Sequence, residues 1–221
     1  MEVLVCVKRV PMVGGTIVVT ADGQDVDTKM SGFAMSPHEE CAVEEAIRLT
    51  ERLGGGVSVL TLGPPDATEQ LREALALGAG RAVLLATDGR EWGPIATAGA
   101  IVAEARRRAD AGQGYDLLLL GNEAADTGDY QVGVRAAHAL GWPVVTGIKG
   151  IETDGSTVRA RQRAKRAEIE QHEPQWQPEG LRKQGLRVPG AERKRATVLA
   201  ARLFLSTTVI MKRNRNMWTI V

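Results

Sequence analysis

Two hydrophobic periods alternate along this chain. Residues 2–7, Glu-Val-Leu-Val-Cys-Val, are almost wholly apolar, and the same texture returns at 57–62, 81–87 and 117–120, where four leucines stand in a row. Short apolar runs bounded by turn residues predict strands buried on both faces. Between them, apolar residues recur every three or four positions. Ser36-Pro37-His38-Glu39 offers an N-cap, a proline for the first helical position and an acid three residues after the cap, which is the pattern of a capping box. It opens a predicted helix with Val43, Ala46, Ile47 and Thr50 on its buried face, stopped by Gly54-Gly55-Gly56. Asp66 and Glu69 form a second such box before Leu71, Ala74, Leu75 and Leu77, and Gly78-Ala79-Gly80 ends that helix. An alanine-rich helix is predicted over 94–109, its closing Arg106-Arg107-Arg108 suiting the negative end of the helix dipole. From about Tyr130 a fourth helix presents Val132, Ala136 and Leu140, ends at Gly141, and is followed by Pro143 as helix stops require. A fifth core strand is predicted over 142–148. Strands alternating with helices predict an α/β fold with a doubly wound, mostly parallel sheet, Rossmann-like in kind.

Smaller features surround this core. Lys8-Arg9-Val10-Pro11 breaks the first strand. Residues 16–20 are β-branched and extended, and Ala21-Asp22-Gly23-Gln24 reads as the turn of a small hairpin returning through Val26. Residues 151–158 read as a second hairpin, on an edge. Beyond 158 the periodicity degrades. Residues 159–166 are basic, and Pro174, Pro178 and Pro189 interrupt any long helix. Leu186 with Val188, and residues 197–199, suggest short strands. The chain therefore divides into an α/β domain over 1–158 and a basic, irregular extension over 159–221.

Charge sharpens that division. The net charge is only +1, yet residues 159–221 carry 15 Lys and Arg against 5 Asp and Glu, leaving 13 against 22 in residues 1–158. Such a basic tail can lie on an acidic surface, its own or a partner's. Its few aromatics and lack of a recognisable module argue against nucleic acid. No apolar run approaches the roughly 20 residues of a membrane span. The N-terminus reads as a strand rather than a signal peptide. Cys6 and Cys41 lie in apolar contexts and read as buried thiols of a reducing cytoplasm.

Candidate chemistry concentrates at 115–141. In open α/β sheets ligands bind at the carboxyl ends of strands, and a helix start there offers N–H groups and a positive dipole end to an anion. The polar connection Gly121-Asn122-Glu123-Ala124-Ala125-Asp126-Thr127-Gly128-Asp129-Tyr130-Gln131-Val132 is longer than the two to six residues of an ordinary βα loop. Two readings stand: a cradle for a phosphate-bearing ligand, or a plain connection. Ser36 has the same two readings, as a simple cap or as part of a second anion site beside the first strand. Asp126 and Asp129 repel a phosphate, so they are expected to cap the loop or to hold a ribose or adenine N–H. There is no G-x-G-x-x-G after the first strand, no P-loop, no C-x-x-C and no G-x-S-x-G, and His38, His138 and His172 lack ligand spacing. No nucleophile or base with an orienting partner stands out, and no metal site; a binding or carrier protein is expected before an enzyme.

Six segments in order resemble the β subunit of electron transfer flavoproteins: V-L-V-C-V-K-R-V at 3–10, A-D-G at 21–23, M-S-P-H-E-E-C-A-V-E-E-A at 35–46, T-L-G-P-P at 61–65, L-R-E-A-L-A-L-G-A-G-R-A at 71–82 and D-L-L-L-L-G-N-E-A-A-D-T-G-D-Y-Q-V-G at 116–133. The resemblance covers about residues 1–158. It implies an adenine-nucleotide-binding fold that pairs with an α subunit holding a redox-active FAD. It further implies AMP, or a second FAD, bound in this chain, and electrons received from acyl-CoA or similar dehydrogenases. By position it places nucleotide contacts on Cys6, Ser36, Pro37, His38, Glu39, Leu62 and 121–132. The family pattern is not followed throughout. His38 stands where many members have an aromatic or acidic residue, and Val13 where some have a tyrosine near the flavin. The P-A-V-V segment and the R-Y-x-S-L-P loop expected after the edge hairpin are absent, so that Val158-Arg159-Ala160-Arg161 runs almost directly into 164–170. That loop docks dehydrogenase partners in the family. The alternative is accordingly a stand-alone adenine-nucleotide-binding protein of similar fold, without partner docking.

Overall fold

The structure, a computed structural model, describes residues 1–12, 17–24, 26–29, 31–124, 126–153, 158–162, 207–212 and 219–220. In chain order its elements are β1 (Glu2–Cys6), β2 (Arg9–Pro11), β3 (Phe33–Met35), α1 (Pro37–Leu53), β4 (Gly56–Gly63), a 3-10 turn (Pro65–Ala67), α2 (Thr68–Leu77), β5 (Arg81–Ala86), α3 (Pro94–Asp110), β6 (Leu117–Gly121), α4 (Val132–Leu140), β7 (Val144–Thr153), β8 (Val158–Gln162), β9 (Thr207–Met211) and β10 (Thr219–Ile220). The main sheet runs β10-β8-β7-β9-β6-β1-β4-β5. Its heart, β5-β4-β1-β6, is parallel throughout, with Val3 to Cys6 in register against Val57 to Leu60 on one side and Leu117 to Leu120 on the other.

The period-2 direction of side chains makes this sheet doubly wound. Val3, Val5, Leu117 and Leu119 pack with Ala42, Val43, Ala46, Leu49, Leu71 and Ala74 of α1 and α2. Leu4, Cys6, Leu118 and Leu120 pack with Ala98, Ile101, Val102, Ala105, Ala136 and Ala137 of α3 and α4. The four consecutive leucines are buried because both faces are covered. At Gly141 the chain takes φ 67° and closes α4. The expected small hairpin is present as a bridge between Val19 and Val26.

Several local expectations need correction. Asp66 caps nothing: a 3-10 turn intervenes, α2 begins at Thr68 with Ala67 at its cap, and Thr68 Oγ1 donates to Pro65 O at 2.8 Å. Leu75 and Leu77 are exposed, and Gln70 takes the buried side of α2 with Leu71 and Ala74. Residues 9–11, read as a break, form β2, antiparallel to β3 in a separate two-stranded sheet. The strand expected over 142–148 and the hairpin arm after it are one element, β7, bent by register shifts between Val145 and Gly150. That strand does not adjoin β6. Thr207–Met211 inserts between them, antiparallel to both, so the sheet crosses the boundary expected at residue 158. The strands suggested at Leu186–Val188 and 197–199 lie outside the described residues.

Candidate functional site

The strand order reverses between β1 and β6, the switch point where open sheets of this kind bind ligands. A cleft of about 570 Å³ opens at the carboxyl ends of these strands, within the usual range for small-molecule sites. Its floor begins where β1 ends. Val7 N–H still bonds Leu60 O at 2.9 Å, but the next amide, Lys8 N–H, turns away and donates to Glu39 Oε2 at 2.9 Å. The same oxygen accepts Ser36 N–H at 3.2 Å, one arm of the expected capping box. The end of β6 packs hard against this helix start: a Cβ at Gly121 would come within 2.7 Å of Glu39 Cγ. Only glycine allows α1 and β6 to approach so closely.

Electrostatics follow from this geometry. Glu39 is 6% exposed. Burial pushes its carboxyl up to about 8, against the opposing pull of the Lys8 and Ser36 amides and the Lys8 ammonium. Burial, with Glu39 beside it, also holds the Cys6 thiol far above its ordinary value, so Cys6 is an inert wall of the cleft. The Lys8 Nζ lies 2.9 Å from Glu91 Oε1 and 2.8 Å from Asp126 Oδ2. Burial opposes that ammonium, but the bonds to Asp126 and Glu91 outweigh it and raise its pKa.

The second wall is the connection from β6 to α4. Gly128, at φ 61°, closes a turn in which its N–H bonds Ala124 O at 2.9 Å. Asp126 Oδ1 accepts Thr127 N–H at 2.9 Å. Tyr130 holds φ 54°, a left-handed conformation that a bulky side chain adopts only under constraint, and the neighbouring Glu123 carboxylate raises its pKa. Helix α4 then starts at Val132, and its first amides have no intrahelical acceptors. A Cβ at Gly133 would meet Thr208 Cγ2 at 2.8 Å, so β9 sets how deeply the start of α4 seats.

Of the residues singled out from the sequence, Cys6, Glu39, Leu62, Gly121, Asn122, Glu123, Ala124, Asp126, Thr127, Asp129, Tyr130, Gln131 and Val132 line this one cleft. Gly128 shapes the loop without lining it. Ser36 and Pro37 stand behind Glu39, and His38 Nε2 reaches Glu123 Oε1 at 3.5 Å. Ala125 lies outside the described residues. Sequence reasoning missed a third wall: Lys8, Arg9 and Phe33, with Glu91 and Trp92 from the β5–α3 connection and Thr97 from the first turn of α3. The Arg9 guanidinium lies 3.2 Å from the Phe33 ring centre. Lys8 and Arg9 had a signal, since they directly follow the central strand at its carboxyl end. Glu91 and Trp92 had none, because only folding brings their loop over β1.

The cleft is roomy, has Leu60, Leu62, Ile101 and Trp92 among its lining residues, and is flanked by a helix start and a lysine. Residues 26–175 match the family model described as electron transfer flavoprotein domain. The chain is 35% identical over 164 residues to electron transfer flavoprotein subunit beta of Clostridium acetobutylicum, covering 73% of this chain and 60% of that protein. It is 36% identical over 159 residues to the subunit of the same name from Bradyrhizobium diazoefficiens, covering 71% and 61%. It is 35% identical over 161 residues to acryloyl-CoA reductase electron transfer subunit gamma of Anaerotignum propionicum, covering 72% and 58%. The chain thus spans about three-fifths of the length of these relatives.

Proposed function

The chain belongs to the electron transfer flavoprotein family, and from that premise we propose that it serves as a β-type subunit that binds an adenylate in the cleft beside β1 and β6. The observation that carries this reading is the convergence on one cleft of the β1 end, the long β6–α4 connection and the start of α4. The adenylate is AMP itself or the AMP half of FAD. FAD supplies redox chemistry when bound; AMP is a structural ligand. Cys6, Leu62 and Leu120 supply apolar contact to the base. Asn122 and Thr127 offer hydrogen bonds, and the α4 amides face the phosphate. Gly121 and Gly128 keep side chains out of its path. Ser36, Pro37 and His38 hold Glu39 and Glu123 in place.

In this reading the chain pairs with a flavin-holding α subunit and passes electrons from acyl-CoA or similar dehydrogenases to an acceptor, in the cytoplasm. Among the described residues no helix is long and apolar enough to cross a membrane. The basic segment 159–221 is the part proposed to lie on the partner. Denaturing the purified protein and separating what it releases by chromatography tests the reading directly. AMP or FAD in near-equimolar amount is the expected result; preparations that take up neither, even after incubation with both, would sink it.

A further inference from the structure

The walls of the cleft carry more charged acids than bases among the described residues: Glu91, Glu123, Asp126 and Asp129 face Lys8, Arg9 and Arg90. An anionic ligand therefore needs a cation that can be spared. Arg90 extends into solvent, its side chain 87% exposed beside Asp88, and Arg9 is stacked on Phe33. Lys8 differs. It leaves the central strand at the switch point, with its amide pinned by Glu39 at 2.9 Å, so the root of its side chain is fixed. Its ammonium bridges two loops, from Glu91 after β5 to Asp126 after β6. These two partners are not equally held. The Asp126 side chain is 21% exposed and bound within its own turn, whereas the Glu91 side chain is 65% exposed. A pair with so exposed a carboxylate is weak, and a phosphate is the stronger acceptor for the same ammonium.

We propose that Lys8 is a phosphate-binding residue of the cleft, whose ammonium exchanges Glu91 for the phosphate of an incoming adenylate while keeping Asp126. The assignment rests on the adenylate reading above. It gives the β5–α3 connection a role as well: Glu91 holds the ammonium in place until the ligand competes for it.

Isothermal titration of the full chain with AMP and with adenosine tests the assignment, using the parent, Lys8→Met, Lys8→Arg and Glu91→Gln. Lys8→Met should weaken AMP roughly 10- to 100-fold, the worth of a charge-assisted hydrogen bond, and leave adenosine within about twofold. Lys8→Arg should restore most of the AMP affinity. Glu91→Gln should tighten AMP several-fold, because it removes the competing carboxylate. The proposal is overturned if Lys8→Met weakens AMP and adenosine alike, as loss of a purely structural tie would, or leaves AMP unchanged. It is equally overturned if Glu91→Gln weakens AMP; that variant keeps Lys8 and carries the test even where Lys8→Met folds poorly. A parent chain that binds neither AMP nor adenosine overturns the adenylate reading itself, an outcome distinct from a selective failure at Lys8.

Discussion

At the scale of single residues the decisive side chain is Glu39. It is the acid of a capping box, yet its carboxylate also takes the first amide that leaves β1, and so ties the start of α1 to the floor of the cleft. A carboxyl held there protonates far more readily than one in water. The unfolded chain releases that proton near the ordinary glutamate value, and the folded chain keeps it until about pH 8. Between those values the folded state binds more protons, so its stability falls as pH rises, by up to about 1.4 kcal/mol per pH unit from this group. Chemical denaturation at several pH values should show that decline between pH 5 and 8 in the parent and a flatter profile in Glu39→Gln. Identical slopes in the two proteins would mean that Glu39 titrates in the folded state as it does in water. Gly121 belongs to the same construction. In the sequence it opens the polar connection after the four leucines, and in the fold it is the point where the helix carrying Glu39 touches β6.

At the scale of elements, β9 is the unexpected member. Val209 and Ile210 are fully buried, and Val209 and Ile210 face opposite helical layers. Thr208 meets the first turn of α4 at Gly133. A strand from the far end of the sequence thus completes the core and supports a wall of the cleft. Ile210→Ala removes a buried branched side chain that packs in the α3 and α4 layer. It should cost about 2–5 kcal/mol through lost burial and the cavity left behind. Urea unfolding measures this, and a loss below about 0.5 kcal/mol, typical of surface substitutions, would contradict the central placement of β9. Elements that close locally were legible beforehand. The four helices, the parallel strands and the hairpin bridge at Val19 and Val26 follow from period, caps and glycines. The capping box at Asp66 was misread because Pro64 and Pro65 start a 3-10 turn that displaces the helix start.

At the scale of the whole molecule, charge separation points outward. Residues 159–221 hold a surplus of 10 positive charges and residues 1–158 a surplus of 9 negative ones. Opposed charge steers association and weakens with salt. The chain mixed with a flavin-containing α subunit should elute as a heterodimer whose mass by light scattering is the sum of the two, and rising salt should loosen it. A mass that stays that of the separate chains at low salt would favour the stand-alone nucleotide-binding protein.

The sequence by itself determined whatever depends on near neighbours. Apolar runs of strand length and helical repeats of three and four are written in local order, and so is the long polar connection after four leucines that supplies one wall of the cleft. Most of the residues read as nucleotide contacts come together for that reason: they lie at strand ends and helix starts, and a doubly wound sheet places those at one edge. Only the tertiary structure decided what depends on distant pairing. It inserted β9 between β6 and β7, because a short, largely β-branched run fits any two-sided gap in a sheet and local sequence does not say which. It also brought Glu91 and Trp92 over the end of β1, and fastened Lys8 between two loops more than 30 residues apart in the chain. Such contacts arise from chain crossings, and no period along the sequence encodes them.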